Sequence, residues 1–225
     1  MIRFNSNFIA LAAVVALLAC ASGTRAEGPM SAQVAIPADS RVAAGDTTVN
    51  AQQAYTAADI HFMGGMICHH AQAIVMAQWA PSHGASASIQ TLAGRIINAQ
   101  RDEIAAMEKW LRDRRQPLPK TSAHGIMMNM NGAEHEMTMP GMLTDAQLKQ
   151  LDAARGKEFD RLFLTFMIQH HRGAVTMVEE LFGTSGAAQD ISVYKLASDV
   201  FADQTTEIER MQRMLASAIF GTDVP

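Results

Sequence analysis

Two stretches of this chain set paired histidines between methionines: MICHHAQAIVM over residues 66–76 and MIQHHRGAVTM over residues 167–177. Thioether sulfur and imidazole nitrogen are soft to borderline donors, and together they favour copper, above all Cu(I), and by the same logic Ag(I). The donors in this pattern are Met66, His69, His70 and Met76, then Met167, His170, His171 and Met177. Met63, Met107 and Met211 fall on the same helical faces and are weaker candidates. A second group lies between residues 121 and 142: His124, Met127, Met128, Met130, His135, Met137, Met139 and Met142. A His/Met-rich tract of this kind is a compositional metal signal, here read as a flexible capture loop. The chain has 16 methionines in 225 residues, more than gap filling in a core requires.

Other chemistries fit less well. Calcium and magnesium need carboxylate clusters that the sequence lacks. Di-iron bundles need Glu-x-x-His on two helices, where this chain has Met-x-x-His-His. No nucleophile with base and orienter is spaced for catalysis, and no glycine-rich phosphate loop is present, so an enzyme is not expected. A net charge of -4 gives no basic patch for nucleic acid. Two further readings of the same residues stay open. The bundle could hold haem between Met and His as an electron carrier. It could also be a metal-free structural or interaction protein, in which the histidines bond Glu103 and Glu207.

These donors need helices to position them. At about 100° per residue, Asp59, Phe62, Met63, Met66, His69, His70, Ala73 and Met76 share a sector about 140° wide. Asp160, Phe163, Met167, His170, His171, Ala174 and Met177 repeat that stripe. Adjacent histidines differ by roughly 100°, so one of each pair faces the bundle axis and the other a groove. Cys68 and His61 fall near the opposite side and are not expected to be core ligands. Gln100, Glu103, Met107 and Leu111 form a stripe repeated as Gln204, Glu207, Met211 and Leu215. The repeat shift is 101 positions for the first pair of helices (Met66 to Met167) and 104 for the second (Met107 to Met211). The chain therefore reads as one helical hairpin used twice: hairpin 1 over about 56–114 and hairpin 2 over about 144–217. Thr56 and Thr144 offer helix N-caps, and a break is open near Gly156. A hairpin alone buries one face, so two of them form an all-α four-helix bundle domain over 55–217 with a Met-rich central loop.

The first 26 residues read as a signal peptide, with Arg3 ahead of an apolar run at 8–19. Export to the periplasm follows, in soluble form or lipid-anchored through Cys20. Residues 27–54 read as a flexible lead-in. Cys68 is then the single thiol of the folded body, which excludes a disulfide framework.

MICHHAQAIVMAQ, MPGMLTDAQLKQLDAARGKEFDRLFLTFMIQHHRGA, NAQRDEIAAMEKWL and ADQTTEIERMQRML resemble the bacterial domain-of-unknown-function family 305 over about residues 55–217. The resemblance implies a ferritin-like bundle, export and, as in the CopM-type members, copper binding linked to copper tolerance. It carries the family's Met-x-x-His-His pattern onto Met66, His69, His70 and onto Met167, His170, His171, with Met76 and Met177 trailing. A copper ion is the implied ligand, and a periplasmic copper transporter or chaperone the implied partner. A visible spectrum separates this from the haem reading: the copper reading expects no Soret band on the purified protein, and a Soret band would overturn it.

Overall fold

Helix α1, Ala57–Gln78, begins at Thr56, whose hydroxyl accepts from the Asp59 N–H while the Asp59 carboxylate accepts from the Thr56 N–H. This reciprocal cap satisfies two backbone donors that a helix start leaves open. Helix α2, Ala87–Asp113, runs back along α1 to close hairpin 1. Helix α3, Asp145–Ala153, is capped by Thr144 and Gln147 in the same reciprocal way. It is short, and Ala154 and Arg155 turn extended before α4 starts at Gly156. Helix α4, Gly156–Gly183, and helix α5, Ile191–Phe220, form hairpin 2, with Asp190 capping α5 and left-handed Gly221 ending it. The break near Gly156 and the Thr56 and Thr144 starts agree with the sequence expectation. This computed structural model describes residues 55–122, 125–130, 133–137 and 139–221. The signal-peptide, lead-in and Cys20 expectations lie outside those residues, as does His124.

The hairpins meet through α1 and α4. α1 is the inner helix: it packs on α2, on α4 and on the connecting segment, and it is buried on nearly every side. Cys68 is accordingly buried, contrary to its expected outward position, because α1 is buried on every side from Phe62 to His70. α2 and α5 bury one stripe and expose the other. Met66, Met76, Met107, Met167 and Met211 are all buried, as the stripes predict.

The central connection is not a plain loop. It pairs into a small antiparallel sheet of β1, Lys120–Ser122, β2, Gly125–Met130, and β3, Ala133–Met137, in the order β1-β2-β3. Met127 stands opposite Lys120 and Glu136, Met128 opposite His135, and Met137 opposite Ile126. Met127, Met128, Met130, His135 and Met137 are thus on paired backbone; their side chains lie outside the described set.

The repeated aspartates have a structural task. The Asp59 carboxylate also accepts from the Ala188 N–H at 2.7 Å, in the turn of hairpin 2. Ala188 has φ +54°, a left-handed conformation costly for a residue with a Cβ. Asp160 in turn accepts from the Ser86 N–H at 3.1 Å, at the turn of hairpin 1. Each hairpin therefore clamps the turn of the other. Asp59 is fully buried and Asp160 only partly. Asp59→Ala should cost about 2–3 kcal/mol in denaturant unfolding, the sum of a lost cap and a stranded buried N–H. Asp160→Ala should cost about 1 kcal/mol. Equal losses would contradict this assignment.

Candidate metal centre

All four histidines of the paired motifs are fully buried. The first of each pair meets its counterpart across the α1–α4 contact: the His69 and His170 ring centroids are 3.8 Å apart, with planes tilted by 40°. The second of each pair turns to the flanking helix. His171 Nε2 donates to Glu207 Oε2 at 2.7 Å. His70 Nε2 lies 2.7 Å from Glu103 Oε2, at ion-pair distance but off the hydrogen-bond axis. The expected division within each pair is present, although the second histidine is sealed in rather than facing an open groove.

A short strap, residues 139–143, closes over this centre. His69 Nε2 donates to the Pro140 carbonyl at 3.0 Å. Gln72 holds Leu143 from both sides, donating to its carbonyl at 3.1 Å and accepting from its N–H at 2.7 Å. On α4 the position equivalent to Gln72 is Gly173. A Cβ there would sit 1.9 Å from the Pro140 oxygen, so only glycine lets the strap reach the helix. Gly141, at φ +76°, makes the matching approach from the strap. Met139 and Met142 are consequently buried in the core, not displayed on a flexible capture loop. The sequence carried the signal for this strap in Pro140, Gly141 and Gly173, but the residues touching it, Gln72 above all, were not singled out.

The nitrogens left over decide what the centre can do. A neutral imidazole that donates from one nitrogen presents a lone pair at the other. His69 Nδ1, His70 Nδ1 and His171 Nδ1 have no hydrogen-bond partner, and neither ring nitrogen of His170 has one. Buried polar atoms without partners are uncommon in native interiors. Burial, aided by the neighbouring His70 and His171 rings, pushes His69 down to about 3 from an ordinary 6.5. Burial and the His69, His171 and His70 rings hold His170 well below the usual range; the nearby His69 carbonyl opposes this weakly without forming a hydrogen bond. Both stay unprotonated, with lone pairs free, at neutral pH. Contact between their rings leaves no room for a porphyrin between α1 and α4 at this point.

Buried methionines accompany the imidazoles along the same helices. Met66, Met107 and Met177 lie in one buried cluster; their repeat counterparts Met167, Met211 and Met76 lie in the other. The trailing Met of each motif thus crosses to the cluster of the opposite hairpin. The copies have diverged: the cluster with Met66 also holds Met63, Met139, Met142 and Cys68. Burial pushes the Cys68 thiol up to about 12, so it stays a thiol in the absence of a metal. Among the described residues, no three His, Cys, Asp or Glu side chains are grouped to hold a metal ion. A metal centre here would therefore need thioether ligands beside the imidazoles.

Fold and site together define a four-helix bundle of two repeated hairpins with a His- and Met-lined interior. Residues 59–215 match the family described as "Domain of unknown function (DUF305)", and the chain belongs to that family. It resembles a DUF305 protein of Streptomyces coelicolor, described as secreted, at 30% identity and TM-score 0.59, covering 72% of this chain and 93% of that one. A DUF305 fragment from Deinococcus radiodurans is 26% identical with TM-score 0.58, covering 72% and 97%. CopM in its Cu(I)-bound form is 28% identical with TM-score 0.53, covering 71% and 96%. CopM is also known in Cu(II)-bound and Ag-bound forms. No curated protein matches the chain.

The lowered imidazoles make the metal-free fold sensitive to acid. Below pH 6.5 the unfolded chain takes up protons that folded His69 refuses until about pH 3. Stability therefore falls as pH falls through this window, by up to about 1.4 kcal/mol per pH unit for each such histidine. Thermal unfolding of the metal-free protein between pH 7 and 5 should show this slope, and His69→Gln with His170→Gln should flatten it. An unchanged slope in the double variant would refute the neutral buried pair.

Proposed function

We propose that the protein is an exported copper binder that sequesters, buffers or passes on copper, chiefly as Cu(I) and with Ag(I) as a mimic, and so contributes to copper tolerance. It performs ligand exchange without catalytic turnover. The observation that carries this reading is the presence of buried, unpartnered imidazole nitrogens on helices that also bury methionine three residues before each histidine pair. Such a donor set prefers Cu(I) to Zn(II), Ca(II) or Mg(II). The four CopM-like motif histidines, His69, His70, His170 and His171, with Met66 and Met167, are the first candidates; Met76 and Met177 follow from the crossed clusters.

The His–Glu contacts suit the same reading. A metal-binding imidazole commonly gives its other ring nitrogen to a carboxylate, which fixes the tautomer and raises basicity. Glu207 does this for His171, Glu103 stands at the same distance from His70, and the Pro140 carbonyl does it for His69. Asp203 lies near Glu103 and Glu207: burial first, then these two carboxylates, raise its pKa. Three acids beside the histidines favour a cation on approach. No helix among the described residues is long and apolar enough to cross a membrane. The likeness to the Streptomyces protein and the apolar N-terminal run support export, through a cleaved signal peptide or a Cys20 lipid anchor. A periplasmic transporter or chaperone is the proposed partner.

Anaerobic competition of Cu(I) against a chelator of known affinity tests the proposal. His69→Ala and His170→Ala should each weaken binding by at least the roughly 10–100-fold seen when only an outer-shell partner is lost. Zn(II) should bind far more weakly. Unchanged Cu(I) affinity in both variants would remove His69 and His170 from the site.

A further inference from the structure

A pocket of about 250 Å³ opens where α1, α4 and the strap meet. Its lining includes His61, Met139, Pro140, Met177 and Glu180. His61 is exposed; Met139 and Met177 are buried side chains that reach the pocket wall from the sulfur-rich cluster. One imidazole and two thioethers around a small open cavity form a soft-cation donor set, with the Glu180 carboxylate adding negative charge. His61 points away from the His69–His170 centre along the sequence stripe, yet the helix carries it to the rim of this cavity.

The pocket adjoins the buried centre through the strap. Met139 precedes Pro140, whose carbonyl holds His69 and whose residue also lines the cavity. A cation held by Met139 would sit one residue from the bond that seals the inner histidines. The repeat does not double this imidazole: the residue of α4 equivalent to His61 is Leu162, which is buried in the other cluster.

We infer that His61 and Met139, with Met177 shared with the inner donor set, form a surface uptake site for Cu(I) or Ag(I), positioned to pass the ion inward across the strap. This rests on the copper reading above. Silver(I) serves as the probe, because it is soft, monovalent and redox-inert under these conditions.

The test is a silver titration of the mature protein labelled with ¹³C-methyl methionine, following the Met139 and Met177 methyls and the His61 ring by NMR. These three signals should shift together and saturate. His61→Ala combined with Met139→Leu should abolish that event and lower the silver stoichiometry by about one equivalent, while the His69 and His170 ring signals still respond. Silver uptake that moves His69 and His170 but leaves His61 and Met139 unmoved would overturn the uptake site and leave the copper reading standing. A protein that takes up no silver or Cu(I) at all would overturn both.

Discussion

Four imidazoles are shut inside the contact between α1 and α4, and most of the local structure follows from keeping them there. Burial makes the protonated forms of His69 and His170 costly, so these two rings stay neutral, and a buried ring N–H calls for an acceptor. The bundle supplies the Pro140 carbonyl to His69 and the Glu207 carboxylate to His171, and sets the Glu103 carboxylate beside His70. His170 receives none and packs against His69 instead. The strap can deliver Pro140 only because Gly173 leaves the α4 surface bare, and Gln72 then fixes the far end of the strap. A polar interior of this kind is expensive unless a ligand uses the remaining lone pairs.

Duplication explains the layout but not its asymmetry. The repeat supplies a common frame: matching histidine pairs, a Met on each partner helix, and aspartates that clamp opposite turns. Within that frame the two copies now differ. Gln72 has become the strap's anchor where the other copy has Gly173, and Cys68 stands where the other has Gln169. The cluster with Met66 holds more thioethers than the cluster with Met167. One half looks inward and the other reaches the surface at His61.

The helical stripes were legible in the sequence because the inward residues recur at helical spacing in both copies. The caps at Thr56 and Thr144 were legible for the same local reason. Three features were not. The burial of Cys68 depends on what lies behind α1, and a helical-wheel angle carries no information about neighbours. The burial of Met139 and Met142 depends on Gly173 of α4, 34 and 31 positions further along the chain, so composition alone made them look like a free tract. The strands over 120–137 arise from pairing between short segments, where methionine content masked the backbone pattern. The division of labour within each His pair was foreseen as geometry, but the acceptor of His69 is a backbone carbonyl that no side-chain motif marks.

The central claim is that a soft metal ion is held jointly by imidazole nitrogen and methionine sulfur in this interior. X-ray absorption at the copper edge of the Cu(I)-loaded protein tests it most directly. The account predicts a Cu(I) edge with both nitrogen and sulfur scatterers in the first shell, and loss of the sulfur contribution when Met66 and Met167 are changed to Leu. A first shell of nitrogen and oxygen alone, unchanged in that variant, would contradict it.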